Sequence, residues 1–275
     1  MKTVTPRDLT VSQVRLGYGE RTIVPELSLS IPAGQITAII GPNGCGKSTL
    51  LRGISRLLKP QAGQISLDGK PVGSYGGKDF ARKVGLLPQS PIAPEGVTVA
   101  DLVSRGRYPY QGLFGGKSKA DQEAIAWALE ATSTLELADR QVAELSGGQR
   151  QRVWIALALA QETDILLLDE PTTYLDLAHQ VDLLDLLAEI NEERGTTMVM
   201  VLHELNLAAR VAHHLVAMKS GQIAAQGSAS QVLTSQNLEE IFGLKASVAD
   251  PLGDGSSLVV PHARQPRRQE VTLDA

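Results

Sequence analysis

The segment Gly41-Pro42-Asn43-Gly44-Cys45-Gly46-Lys47-Ser48 satisfies the pattern G-x-x-x-x-G-K-[ST]. Glycines let consecutive backbone N–H groups converge on an anion at a helix start, where the helix dipole adds about half a unit of positive charge. Lys47 would bring an ammonium to the outer phosphates of a triphosphate. Ser48, with Thr49 beside it in the same turn, would offer a hydroxyl to Mg²⁺. A magnesium–triphosphate complex needs a second acidic anchor, and Ile165-Leu166-Leu167-Leu168-Asp169-Glu170 ends an aliphatic run in two carboxylates. Asp169 is expected to hold the metal through water, and Glu170 to poise an attacking water as general base.

Positioning these groups requires strands that end beside a helix start. Ile36 to Ile40 reads as a buried strand closed by the glycine loop, and Ser48-Thr49-Leu50-Leu51 then takes up helical spacing. The period-two pattern from Leu9 to Ile31 predicts short antiparallel strands. Ile65 to Leu67 and Val84 to Leu87 read as further strands, with Gly73 to Gly77 a loop between them. After Gln89, Ser90-Pro91-Ile92-Ala93-Pro94 is linker-like, and helical signals dominate at Val99 to Arg105, Asp121 to Ala131 and Gln149 to Ala160.

Strand character returns at Ile165 to Leu168 and Thr197 to Val201. Between them Ala178, Val181, Leu184, Leu187 and Ile190 recur at helical steps, with Gly195 where a C-cap belongs, which makes a βαβ unit. A helix from Leu205 to Val211 and short strands near Leu215 to Met218 and Gln222 to Ala225 follow, with His213 and His214 read as helix-end residues. The tail from His262, with Arg264, Arg267 and Arg268, lacks periodicity and reads as a frayed terminus.

Composition narrows the classes. Lys+Arg of 26 against Asp+Glu of 30 leaves a formal charge of −4, which argues against a phosphate-backbone-binding surface and so against nucleic acid as partner. An aromatic content of 4% describes an aliphatic core without base-stacking platforms. No apolar run reaches membrane-spanning or signal-peptide length, so secretion is not expected. A lone Cys45 cannot form an internal disulfide, which agrees with a reducing compartment.

Leu145-Ser146-Gly147-Gly148-Gln149 lies between the glycine loop and the Asp169-Glu170 strand end, and the three motifs in this order resemble the nucleotide-binding subunits of ATP-binding cassette (ABC) transporters. Ser146 followed by two glycines and a helix is a second helix N-terminus able to meet anionic oxygens. The resemblance implies an α/β fold: a P-loop NTPase core with an N-terminal antiparallel β-subdomain and an inserted α-helical subdomain. It predicts one ABC ATPase domain over 1–261, with 1–89 and 162–261 as core and β-subdomain, 90–161 as helical subdomain, and 262–275 as a flexible tail. It also implies a homodimer in which each ATP lies between one glycine loop and the opposite Ser146-Gly147-Gly148-Gln149.

Other roles transfer by the same resemblance. Tyr18 would stack on adenine, Gln89 would touch Mg²⁺ and the water, Asp176 would link the two sites across the dimer, and His203 would contact the γ-phosphate. Glu204 stands where many relatives have Asp, and Thr173-Tyr174 where Ser-Ala is frequent, but neither departure removes a catalytic group. Alkylation of Cys45 is expected to block ATP binding.

Gly106-Arg107-Tyr108-Pro109-Tyr110-Gln111 and Pro171-Thr172-Thr173-Tyr174-Leu175-Asp176-Leu177-Ala178-His179-Gln180 resemble the ferric-siderophore importers, with vitamin B12 and haem importers as near relatives. That implies a peripheral ATPase at the cytoplasmic face of a bacterial inner membrane, working with two integral-membrane permease subunits and, indirectly, a periplasmic or surface substrate-binding protein. The region around Ser104 to Phe114 would contact the permease, the alternative being that Arg105, Arg107 and Tyr108 form a solvated loop. The rival from another class is a soluble, non-transport cassette ATPase that moves a non-membrane partner.

Overall fold

The computed structural model describes residues 5, 7–112, 116, 118–173, 175–250 and 256–263. Phe114, Tyr174 and the tail arginines named above lie outside them. The chain opens with β1 (Leu9–Tyr18) and β2 (Arg21–Ile31), a ten- and an eleven-residue strand where short ones were expected. Register shifts between Val11 and Gly17 bend the pair, so bulges rather than turns interrupt the alternation.

β3 (Ile36–Ile40) leads through the glycine loop into α1 (Lys47–Ile54). β4 (Ala62–Leu67) and β5 (Lys70–Pro71) complete a four-stranded antiparallel sheet in the order β2-β1-β4-β5. The expected loop at Gly73 to Gly77 is partly helical: a 3₁₀ turn covers Val72–Ser74, and α2 (Gly77–Ala81) follows. Burial of Val72 and Phe80 holds these turns where glycine propensity alone would not.

After β6 (Val84–Leu87) come α3 (Val99–Ser104), a 3₁₀ stretch at Arg105–Tyr110, α4 (Lys119–Ala131) and α5 (Gly147–Ala160). Thr98, Ser118 and Ser146 cap the three α-helices through their hydroxyls. Leu102, Val103, Ala128, Leu129, Val153 and Trp154 belong to one buried cluster that joins the helices to one another.

β7 (Ile165–Asp169), α6 (Leu177–Arg194), β8 (Thr197–Val201), α7 (Leu205–Val211), β9 (His214–Lys219) and β10 (Gln222–Gly227) build the central layer. Gly195 caps α6 at φ 67°, as its position in the sequence predicts. The six strands run β10-β9-β3-β8-β7-β6, all parallel except the edge strand β10. Every residue of β3, β7 and β8 is buried, which is why these runs are continuously apolar rather than alternating.

His214 is the first residue of β9, paired with Thr37, and the His213 Nδ1 accepts the Ile36 N–H at 3.1 Å. The two histidines are thus tied to the sheet and do not simply end a helix. Beyond the anticipated strands, the chain adds α8 (Ala229–Val232), α9 (Ser235–Phe242) and a hairpin of β11 (Ala246–Ala249) with β12 (Leu258–Pro261). No helix among the described residues is long and apolar enough to cross a membrane.

Candidate functional site

The glycine loop leaves β3 at the carboxyl edge of the parallel strands, where ligands of such sheets bind. At Gly41 φ is 150°, and a Cβ there would lie 2.3 Å from the Met218 carbonyl oxygen, so only glycine fits. Gly46, at φ 107°, is the N-cap of α1, and it offers no side-chain cap; the first turn also carries no acidic residue. That helix end is free to be completed by an anion. Lys47 is buried, and its Nζ donates to the Gly41 and Pro42 carbonyls at 2.8 and 3.1 Å. Cys45 is 6% exposed within the loop, and burial raises its thiol pKa against the opposing pull of Lys47.

The Ser48 hydroxyl donates to Asp169 Oδ1 at 2.9 Å across 121 residues of sequence. Burial pushes the Asp169 carboxyl up, and the Ser48 bond pulls it down only in part. Among the described residues no group of three or more His, Cys, Asp or Glu side chains could hold a metal ion. One carboxylate beside a hydroxyl instead fits a hard cation such as Mg²⁺, which takes its remaining oxygens from phosphates and water.

Glu170 turns out of β7 with φ 54°, a left-handed conformation unusual for this residue type, and its N–H donates to Val201 of β8 at 3.2 Å. Its carboxylate is held on both oxygens. Gln89 Nε2 donates to Oε2 at 2.6 Å, Thr173 Oγ1 lies 3.3 Å from that same oxygen, and His203 Nε2 lies 2.6 Å from Oε1. Sheet order explains the convergence: β3, β8, β7 and β6 are successive neighbours, and the loop, His203, Asp169-Glu170 and Gln89 follow their carboxyl ends. A carboxylate so held can accept a proton from water while the amide and imidazole orient it.

One open cleft of about 560 Å³ is lined by Tyr18, Asn43, Gly44, Gly46, Lys47, Ser48, Thr49, Gln89, Glu170 and His203. Tyr18 is 45% exposed there, its hydroxyl accepting from Arg52 at 3.1 Å. Arg21 and Ile23 line the same cleft and escaped the sequence reading. Arg21 pairs directly with Tyr18 across the β1–β2 turn, so the strand alternation was the available signal.

Ser146, Gly148 and Gln149 do not reach this cleft. With Asp176, they line a separate one of about 540 Å³. Ser146 and Gln149 form a reciprocal cap on α5, Gln149 N–H to Ser146 Oγ at 3.3 Å and Ser146 N–H to Gln149 Oε1 at 3.1 Å. Gly147 is the first helical residue behind that cap. Asp176 caps α6 and accepts from the His179 N–H at 3.0 Å, with His179 Nδ1 2.6 Å away; these bonds hold its carboxyl below the usual range.

Arg107 is neither a solvated loop residue nor a surface contact. It is 3% exposed, and it pairs with Asp121 at 2.8 Å and Glu162 at 2.9 Å while lying 3.9 Å over the Tyr110 ring. Its neighbour Tyr108 is 68% exposed.

The glycine loop on β3, the acidic end of β7 and the capped α5 together define a P-loop nucleotide hydrolase. The model of the ABC transporter family matches residues 24–173. The ferric enterobactin transport ATP-binding protein FepC of Escherichia coli (strain K12) is 52% identical over 92% of this chain and 93% of its own. The iron(3+)-hydroxamate import ATP-binding protein FhuC of Bacillus subtilis (strain 168) is 51% identical over 88% of this chain and 91% of its own. The dimeric structure of MJ0796, a bacterial ABC transporter cassette, superposes with a TM-score of 0.72 at 29% identity, covering 80% of this chain and 98% of that one. This chain therefore belongs to the ABC transporter family as an ATP-binding, ATP-hydrolysing cassette, as the three sequence motifs predict.

Proposed function

We propose that two copies of this chain close head to tail around two ATP molecules and power uptake of a ferric siderophore through a membrane permease. One observation carries the reading: the glycine loop and the helix start at Ser146, the two segments suited to phosphate, line different clefts. A helix start at Ser146 that lies outside the cleft of its own glycine loop can meet the nucleotide held by the loop of a second copy. Such an interface is self-complementary and closes as a two-fold dimer.

In this scheme Lys47 and the loop from Gly41 to Thr49 bind the phosphates, Tyr18 stacks on the adenine, and Ser146, Gly147, Gly148 and Gln149 close over the nucleotide of the partner. Ser48, Gln89 and Asp169 would hold Mg²⁺, which when bound neutralises phosphate charge. Glu170 takes the proton of the attacking water, and His203 and Gln89 hold Glu170 and orient the γ-phosphate region. Asp176 links the two sites. ATP stabilises the closed dimer only through contacts that the open one lacks.

The siderophore assignment is supported by relatives of this length whose names specify ferric enterobactin and iron(3+)-hydroxamate. It puts the protein at the cytoplasmic face of a bacterial inner membrane, held there by two permease subunits that receive cargo from a substrate-binding protein. Co-purification with a multi-spanning permease, followed by iron uptake with individual siderophores in a strain lacking this subunit, tests it. Uptake of vitamin B12 or haem in place of iron chelates, or purification without any permease, would overturn it.

A further inference from the structure

α7 starts two residues after His203, and its first turn lacks a side-chain cap, because Glu204 at the N-cap makes no such hydrogen bond. An uncapped first turn frays unless another contact holds it. Asn206 provides that contact. Its Nδ2 donates to the Val259 carbonyl at 3.2 Å, and its Oδ1 accepts from the Val259 N–H at 2.7 Å. The amide thus acts as a one-residue strand alongside β12, whose Val259 faces Val248 of β11 in the hairpin.

The hairpin is itself anchored. Val259 and Ala246 are buried in the same apolar cluster as Leu207 and Ala208 of α7. At the other end of the helix, the His213 N–H donates to the Ile36 carbonyl at 2.9 Å, and the Ile36 N–H donates back to His213 Nδ1 at 3.1 Å. With both ends of α7 tied down, the path of the chain from β8 into α7 is set, and with it the 2.6 Å approach of His203 Nε2 to Glu170.

We propose that Asn206 is a positioning residue for ATP hydrolysis: by gripping Val259, it lets the C-terminal hairpin fix the first turn of α7 and so hold His203 against Glu170. The proposal rests on the reading of His203 and Glu170 as the hydrolytic pair. Asn206 is exposed and is not among the residues lining the nucleotide cleft, so it acts on the site through the placement of α7.

Asn206→Ala discriminates, because alanine raises helix propensity while removing both bonds to Val259. The expected result is a kcat for ATP hydrolysis lowered about fivefold with KM for ATP within about twofold, the order expected for two hydrogen bonds acting through another residue. The His203 imidazole signal in a ¹H–¹³C spectrum of histidine-labelled protein should move in parallel. Asn206→Asp keeps the acceptor for the Val259 N–H and should fall between parent and alanine variant; if the alanine variant does not fold, this one decides by the same two readings. Arg210→Ala, on the same helix as Asn206, removes an exposed pair with Asp185 of α6 but leaves the hold on Val259 intact, and should leave kcat unchanged. A parental kcat with an unmoved His203 signal overturns the proposal. Parental hydrolysis by Glu170→Gln would instead overturn the site reading beneath it.

Discussion

Gln89 and His203 grip opposite oxygens of one carboxylate, each at 2.6 Å: Gln89 on Oε2 of Glu170 and His203 on Oε1. The two residues follow the carboxyl ends of β6 and β8, the strands on either side of β7. Glu170 is therefore held from both neighbouring strands of the sheet.

Glu170→Gln keeps the shape, and its amide oxygen can still accept from Gln89 Nε2, but it removes the proton acceptor. Under the proposed role, hydrolysis should fall at least about 100-fold while ATP binding persists. Steady-state phosphate release and equilibrium ATP binding would measure the two, and light scattering should detect a trapped dimer. Hydrolysis at the parental rate would remove the general-base assignment.

Lys47→Ala takes away the ammonium that stands on the Gly41 and Pro42 carbonyls. A charge-assisted contact to phosphate is lost, so the Kd for ATP should rise roughly tenfold or more. Titration with a fluorescent ATP analogue reads this directly. An unchanged Kd would show that the loop amides alone bind the nucleotide.

Arg107→Met should destabilise the fold, because Asp121 and Glu162 would keep buried charge without their shared partner. Breaking such a pair from one side costs about 3–5 kcal/mol, or a thermal midpoint lower by roughly 10 °C. The pH sign follows from Asp121. Burial pushes its carboxyl up, but the hydrogen bonds from Arg107 and Ser118 outweigh that and hold it below its ordinary value of 3.8. The stabilisation is then complete above that value and is lost as pH falls through the lower folded one. Asp121→Asn should accordingly flatten the acid limb of a midpoint-against-pH curve; a curve parallel to the parent's would contradict this.

Cys45 combines near-complete burial with a raised thiol pKa. Thiolate is the reactive form, so N-ethylmaleimide should label the folded protein far more slowly than the unfolded chain. Molecules that do react should lose ATP binding, since the adduct has to be accommodated inside the phosphate loop. Cys45→Ala should abolish labelling and keep binding. Rapid labelling with full ATPase activity would refute both statements.

The amino-acid sequence alone determined the phosphate loop, the acidic strand end, the capped helix at Ser146 and the apolar central strands. Each of these is local: a few residues at short spacing dictate a backbone shape, whatever the rest of the chain does. Tertiary structure alone decided that Gln89, Glu170 and His203 share one carboxylate and that Ser48 meets Asp169. Those contacts span 81 and 121 residues for Gln89–Glu170 and Ser48–Asp169, and they depend on the order of strands in the sheet. The burial of Arg107 was not legible for the same reason, since its partners Asp121, on α4, and Glu162, in the turn after α5, are distant in sequence and only packing brings them to it. The C-terminal hairpin was not legible because its strands are only four residues each, and its hold on α7, through the Asn206 amide and a few apolar contacts, leaves no periodic trace.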